Sequence, residues 1–127
     1  MPLESLAMKD LVVQSLDDDK AQEIVTIDLV GITPISDYLV VASGTSSRQV
    51  GAMADHLHEK LKAAGIEGIS VEGQENCDWV LIDAGDIVVH LFKPEVRNFY
   101  NIEKMWDMAE ITKIPQGQPS PVEQVVA

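Results

Sequence analysis

Two apolar runs, Trp79-Val80-Leu81-Ile82-Asp83 and Ile87-Val88-Val89-His90-Leu91-Phe92, meet across Asp83-Ala84-Gly85-Asp86, and this pair constrains the fold more than any other stretch. Short β-branched runs around a glycine-containing turn predict an antiparallel hairpin. Pro94 ends the second strand, because proline has no N–H to give to a ladder. A lone hairpin is marginal in water, so the rest of the chain must supply further strands and helices to cover them.

Upstream, Leu6, Val12, Val13 and Leu16 recur at near-helical spacing and predict a helix ending near Leu16. The carboxylates of Asp17-Asp18-Asp19 oppose a helix C-terminal dipole, which places that run in the loop beyond. Glu23 to Leu29 reads as strand one, closed by Gly31 and Pro34. Asp37 to Ser43, apolar through its centre, reads as strand two, covered on both faces. Hydroxyl caps in Gly44-Thr45-Ser46-Ser47 then precede Val50, Met53, Ala54, Leu57 and Leu61 at helix-core spacing, so a second helix runs from about Ser46 to Ala64 and stops at Gly65. A short strand over Ile69 to Gly73 precedes the hairpin. A last helical pattern begins near Val96 and reaches Trp106. The expected architecture is α/β (α+β), a mixed five-stranded sheet flanked by helices: the helix after strand two permits a parallel crossover, and the hairpin adds antiparallel pairs. Residues 1–110 form one domain, and 111–127, with Pro115, Pro119 and Pro121 and little apolar content, form a mobile tail.

Composition narrows the function. With 46% hydrophobic residues in 127, one core is within reach. Apolar runs such as Leu39 to Ala42 fall far short of the roughly 20 residues that cross a bilayer, and no basic region with an apolar stretch opens the chain. A cytoplasmic protein is expected. The single cysteine, Cys77, excludes an intrachain disulfide and a multi-cysteine zinc site. Nine Lys plus Arg against 21 Asp plus Glu give a net charge of −12, whose field repels phosphate backbones and can steer a basic protein. A nucleic acid is therefore not expected as the primary ligand.

Side chains able to carry catalysis do not assemble into a motif. Gly44-Thr45-Ser46-Ser47 lacks the lysine of a phosphate loop and reads as N-capping. Asp28, Asp37, Asp83 and Asp86 flank strands and turns as loop carboxylates do, and Asp17 to Asp19 has no further ligand at calcium-loop spacing. His56 and His58 stand two apart on a helix, where they diverge. His90, in an apolar strand, reads as a hydrogen-bonded structural histidine, and no Gly-x-Ser-x-Gly elbow accompanies it. No metal, cofactor or catalytic residue is expected. Trp79, Tyr100 and Trp106 are different, since amphipathic rings beside Arg97, Glu103 and Lys104 are typical of protein-binding hot spots. The residues alone leave these rings balanced between core and interface.

Several motifs, taken in order, break the balance: Asp37-Tyr38-Leu39-Val40-Val41, Gly44-Thr45-Ser46-Ser47-Arg48, Glu72-Gly73, Asp78-Trp79, Asp83 through His90, and Arg97 through Trp106. Together they resemble the ribosomal silencing factor family, also called Iojap, from about Leu6 to Trp106. The resemblance implies a nucleotidyltransferase-like topology without transferase activity. It also implies binding to the fourteenth protein of the large ribosomal subunit, which blocks joining of the small subunit when nutrients are scarce. Carried over by position, it makes Trp79, Tyr100, Glu103 and Lys104 docking residues, with His90 and Arg97 close by. Asn101 departs from the family pattern, as does the long tail. Two other readings stand beside this one: a nucleotidyltransferase-like enzyme using the acidic turns, and a homodimer that consumes the same aromatic rings when the protein is free.

Overall fold

The structure is a computed structural model that describes residues 4–102, 104 and 110–114. Its elements are α1 (Ser5–Asp18), β1 (Gln22–Asp28), β2 (Tyr38–Ser43), α2 (Ser47–Ala63), β3 (Ser70–Glu72), β4 (Trp79–Asp83), β5 (Ile87–Phe92), α3 (Pro94–Tyr100) and β6 (Glu110–Lys113). The strands form one mixed sheet in the order β3-β4-β5-β2-β1-β6. Among the described strands only β2 and β5 run parallel, with Leu39 opposite Val88 and Val41 opposite His90. The other pairs are antiparallel. This is the mixed α/β arrangement expected, with six strands rather than five.

Strand alternation sorts the side chains into two layers. Val40 and Ala42 of β2, Val80 and Ile82 of β4, and Val89 and Leu91 of β5 point to one side, where they form a core with Met8, Val12 and Leu16 of α1 and with α2. Val50, Met53, Ala54, Leu57 and Leu61 of α2 are all fully buried there. Val50, Met53, Leu57 and Leu61 each remove enough apolar surface from water to contribute about 1.5 to 3 kcal/mol, and Ala54 less. The start of α2 is fixed by Ser46, whose Oγ accepts from the Gln49 N–H at 3.1 Å. Gly65 just beyond its end has φ +91°, a conformation that costs glycine little. The opposite side of the sheet holds a smaller cluster of Val25, Ile27, Leu39, Val41, Phe92 and Ile102. Among the described elements, α3 is the helix adjoining this cluster, through the half-buried Val96.

Three boundaries differ from the sequence expectation. Helix α1 continues through Asp17 and Asp18. The adverse charge at its end is met locally: Gln14 Nε2 donates to Asp18 at 2.9 Å, and Asp19 lies 2.8 Å from His56 Nδ1 on α2. Helix α3 stops at Tyr100, because Asn101 takes the left-handed conformation at φ +49° and its N–H closes onto the Arg97 carbonyl at 2.7 Å. Glu103, Met105 and Trp106, expected on that helix, lie outside the described residues. Finally, residues 110–113 are not tail but the edge strand β6. It pairs with β1 through Ile27 opposite Ile111 and Val25 opposite Lys113. The domain thus extends past 110, and residues 115–127 of the expected tail lie outside the described residues.

Candidate functional site

The hairpin register puts Trp79 opposite Phe92, and Leu81 opposite His90, on the side of the sheet away from α1 and α2. A ring cluster results. The Trp79 indole lies 4.9 Å from Phe92 and 4.8 Å from Tyr100, both tilted, and 5.8 Å from His90. Phe92 is fully buried and forms the floor, whereas Tyr100 is 53% exposed and Phe99 82% exposed. Phe99 meets Tyr100 edge to face at 5.1 Å. Trp79 is thus half inside, with one part packed on the core and another at the surface.

Trp79 is locked in place by a polar contact. Its Nε1–H donates to His90 Nδ1 at 2.9 Å. That bond assigns the imidazole a neutral tautomer with its proton on Nε2, since Nδ1 must offer a lone pair. Burial pushes the His90 pKa down to about 4, which keeps the ring neutral at physiological pH. The backbone supports the same corner: Gly73, at φ +89°, lies so close to the Trp79 carbonyl that a Cβ would strike it.

Beside the rings, Leu29, Thr33, Ile35, Leu39, Trp79, Val88, His90 and Ile102 line a shallow 290 Å³ depression. The loop after β1 raises its wall through Thr33, Ile35 and Ser36, with Ile35 78% exposed. Exposed apolar groups gathered in one region mark an interaction surface more often than scattered ones do. Sequence reading missed this loop and the Phe92 floor. The alternation of β5 with Trp79 as hairpin partner was the available signal for Phe92, whereas nothing local brings Ile35 to the rings.

The six candidate docking residues divide. Trp79, His90 and Tyr100 come together as described. Arg97, expected near the surface with a partner-binding role, is instead buried at 6% exposure. Its Nη1 donates to the Glu23 carbonyl at 2.7 Å and to Ser43 Oγ at 2.9 Å. Two of its hydrogen bonds are thus directed into the protein. Lys104 is exposed at a 590 Å³ cleft bordered by Glu23, Arg97, Asn101 and Lys113. Glu103 lies outside the described residues.

Two of the acidic residues singled out in the sequence are engaged in their own loops. Asp28 Oδ1 accepts from the Val30 N–H at 3.0 Å, and Asp83 Oδ1 from the Gly85 N–H at 2.9 Å, so both carboxylates serve their own turns. Among the described residues no group of three or more His, Cys, Asp or Glu could hold a metal ion, and no helix is long and apolar enough to cross a membrane. Cys77 is half-buried with its thiol donating to the Gln74 carbonyl at 3.1 Å. The surface therefore offers binding chemistry: partly exposed rings on a rigid sheet, a neutral histidine and an apolar hollow.

Comparison with known proteins converges on one family. The family model described as "Ribosomal silencing factor during starvation" matches residues 2–126. A ribosomal silencing factor from Zymomonas mobilis is 55% identical over 108 residues, covering 85% of this chain and 81% of the relative. The mouse protein named mitochondrial assembly of ribosomal large subunit protein 1 is 34% identical over 102 residues, 78% of this chain and 45% of its own. A crystal structure of a Chromobacterium violaceum protein superposes with a TM-score of 0.79 at 38% identity, covering 93% of this chain and 92% of the other.

Proposed function

The chain belongs to the ribosomal silencing factor family, and from that premise we propose that it docks on the large ribosomal subunit through the Trp79–Tyr100 face and so keeps the small subunit from joining. Membership makes it a ribosome-associated regulator of translation. The docking site on the subunit is, in this reading, its fourteenth protein, and repression matters most when nutrients are limiting. The role is one of binding, with no catalytic step. The name of the mouse relative ties that protein to the large subunit and supports the choice of subunit.

The observation that carries the reading is the ring cluster itself. A tyrosine 53% exposed and packed at a tilt against a half-buried tryptophan is an unusual arrangement for a surface in contact only with water. A partner that covered it would gain apolar burial at little conformational cost, because Trp79 is already held by His90 and Phe92. The net charge of −12 favours encounter with a basic ribosomal protein over direct seating on RNA phosphates. Purified large subunits preincubated with the protein and then mixed with small subunits provide the test. Sedimentation is expected to show separate subunits in place of joined particles, with the protein travelling with the large one. Full joining at saturating protein contradicts the proposal.

A further inference from the structure

We propose that Arg97 is a positioning residue: it holds α3 to the sheet from inside and thereby fixes Tyr100 against Trp79 in the docking surface. The inference rests on the docking reading above for its functional consequence, but its structural half stands alone.

Helix α3 has only seven residues, too few to be stable without tertiary contacts. Its one buried residue is Arg97. Phe99 and Tyr100 are exposed, and Val96 is only half-buried. Apolar packing is thus a minor anchor for this helix, and the guanidinium supplies the main one. It reaches two strands at once, the Glu23 carbonyl on β1 and Ser43 Oγ at the end of β2. Both acceptors are special. Glu23 sits at an irregularity in the β1–β2 register with φ +50°, where a non-glycine residue is strained, and Ser43 is 1% exposed. A charge-assisted hydrogen bond is worth more than a neutral one, and of the two the bond onto Ser43 Oγ is fully buried, so its loss leaves that hydroxyl without the charged donor.

The geometry then transmits this anchor to the surface. Tyr100 lies three residues beyond Arg97, one helical turn along, and the Asn101 N–H closes back on the Arg97 carbonyl to end the helix there. Once Arg97 is fixed, the place of the Tyr100 ring is fixed too, 4.8 Å from the Trp79 indole. Arg97 acts through Tyr100 and does not itself touch a partner.

The test combines Arg97→Met and the gentler Ser43→Ala with a Tyr100→Ala background, in the full chain. Amide exchange at Phe99 and Tyr100 should accelerate by about tenfold or more in Arg97→Met, while Val41 and Val89 in the central strands keep their protection. Affinity for purified large ribosomal subunits should fall by about tenfold, and that penalty should shrink to less than about twofold when Tyr100 is already alanine. Arg97→Lys, which keeps the charge but loses the fork, should fall between. Ser43→Ala should show the same pattern more weakly, and it replaces Arg97→Met if that variant does not fold. Unchanged exchange in α3 overturns the proposal. Equal affinity losses with and without Tyr100 overturn it as well, because they make Arg97 a direct contact. Should the unaltered protein fail to bind large subunits, the docking reading falls while the exchange result still decides the role of Arg97.

Discussion

Trp79 and His90 form a hydrogen-bonded pair across the hairpin, the indole Nε1–H donating to imidazole Nδ1 at 2.9 Å. The bond requires a neutral histidine, and it turns a large ring that could have rotated freely into a fixed part of the surface. Several consequences can be measured.

The first concerns pH. Burial depresses the His90 pKa from 6.5 to about 4 in the folded protein. Between those values the unfolded chain binds a proton that the folded one refuses, so stability present above pH 6.5 is lost as pH falls toward 4. The full effect is of order 3 kcal/mol. Denaturant unfolding of the protein and of His90→Gln, followed from pH 7 to pH 4, should show a gap that narrows or reverses in favour of the variant as pH falls. Parallel curves would mean that His90 is not held neutral.

Gly73 yields a backbone prediction. At φ +89° and against the Trp79 carbonyl, it has no room for a side chain. Gly73→Ala should lose about 2 kcal/mol or more of unfolding free energy, and tryptophan fluorescence should shift as β4 moves. An alanine variant as stable as the parent would show that the close approach is not required.

The cap of α2 provides a contrast. Ser46→Ala removes the acceptor for the Gln49 N–H and should cost about 1 kcal/mol. Because Ser46 stands at the start of α2, on the helix-covered side, binding to large subunits should be unaffected at temperatures where the variant is folded. A selective loss of binding would place the docking surface elsewhere.

These predictions also mark what could be read from the residues. Helix α2 was legible because cap, apolar spacing and terminal glycine agree, and the hairpin because its turn and its two strands are contiguous. Strand β6 was not. Its four residues carry no alternation, and its partner β1 is more than 80 residues away, counting from Ile27 to Ile111. The end of α3 was signalled by Asn101, a residue that tolerates the left-handed conformation, but the apolar pattern beyond it outweighed the signal. Arg97 was misplaced for a physical reason. An arginine beside tyrosine reads as an interface residue, and its inward turn meets acceptors at the bulge of Glu23 and at the hydroxyl of Ser43, both distant in sequence. Trp79 and Tyr100 came together as the family resemblance implied, yet they are not equivalent: Trp79 also packs on Phe92 and bonds to His90, so its substitution disturbs the fold.

The exposure of Tyr100 therefore makes it the cleaner probe of the docking face. Tyr100→Glu should leave the unfolding transition within about 0.5 kcal/mol, as for an exposed position, and weaken binding to purified large ribosomal subunits by about 2 kcal/mol or more, as at a hot spot. An equilibrium titration of the folded variant against large subunits, beside the parent protein, measures this directly. Loss of affinity on that scale is the result predicted here; parent-like affinity from a correctly folded Tyr100→Glu protein would contradict the assignment of this face to ribosome docking.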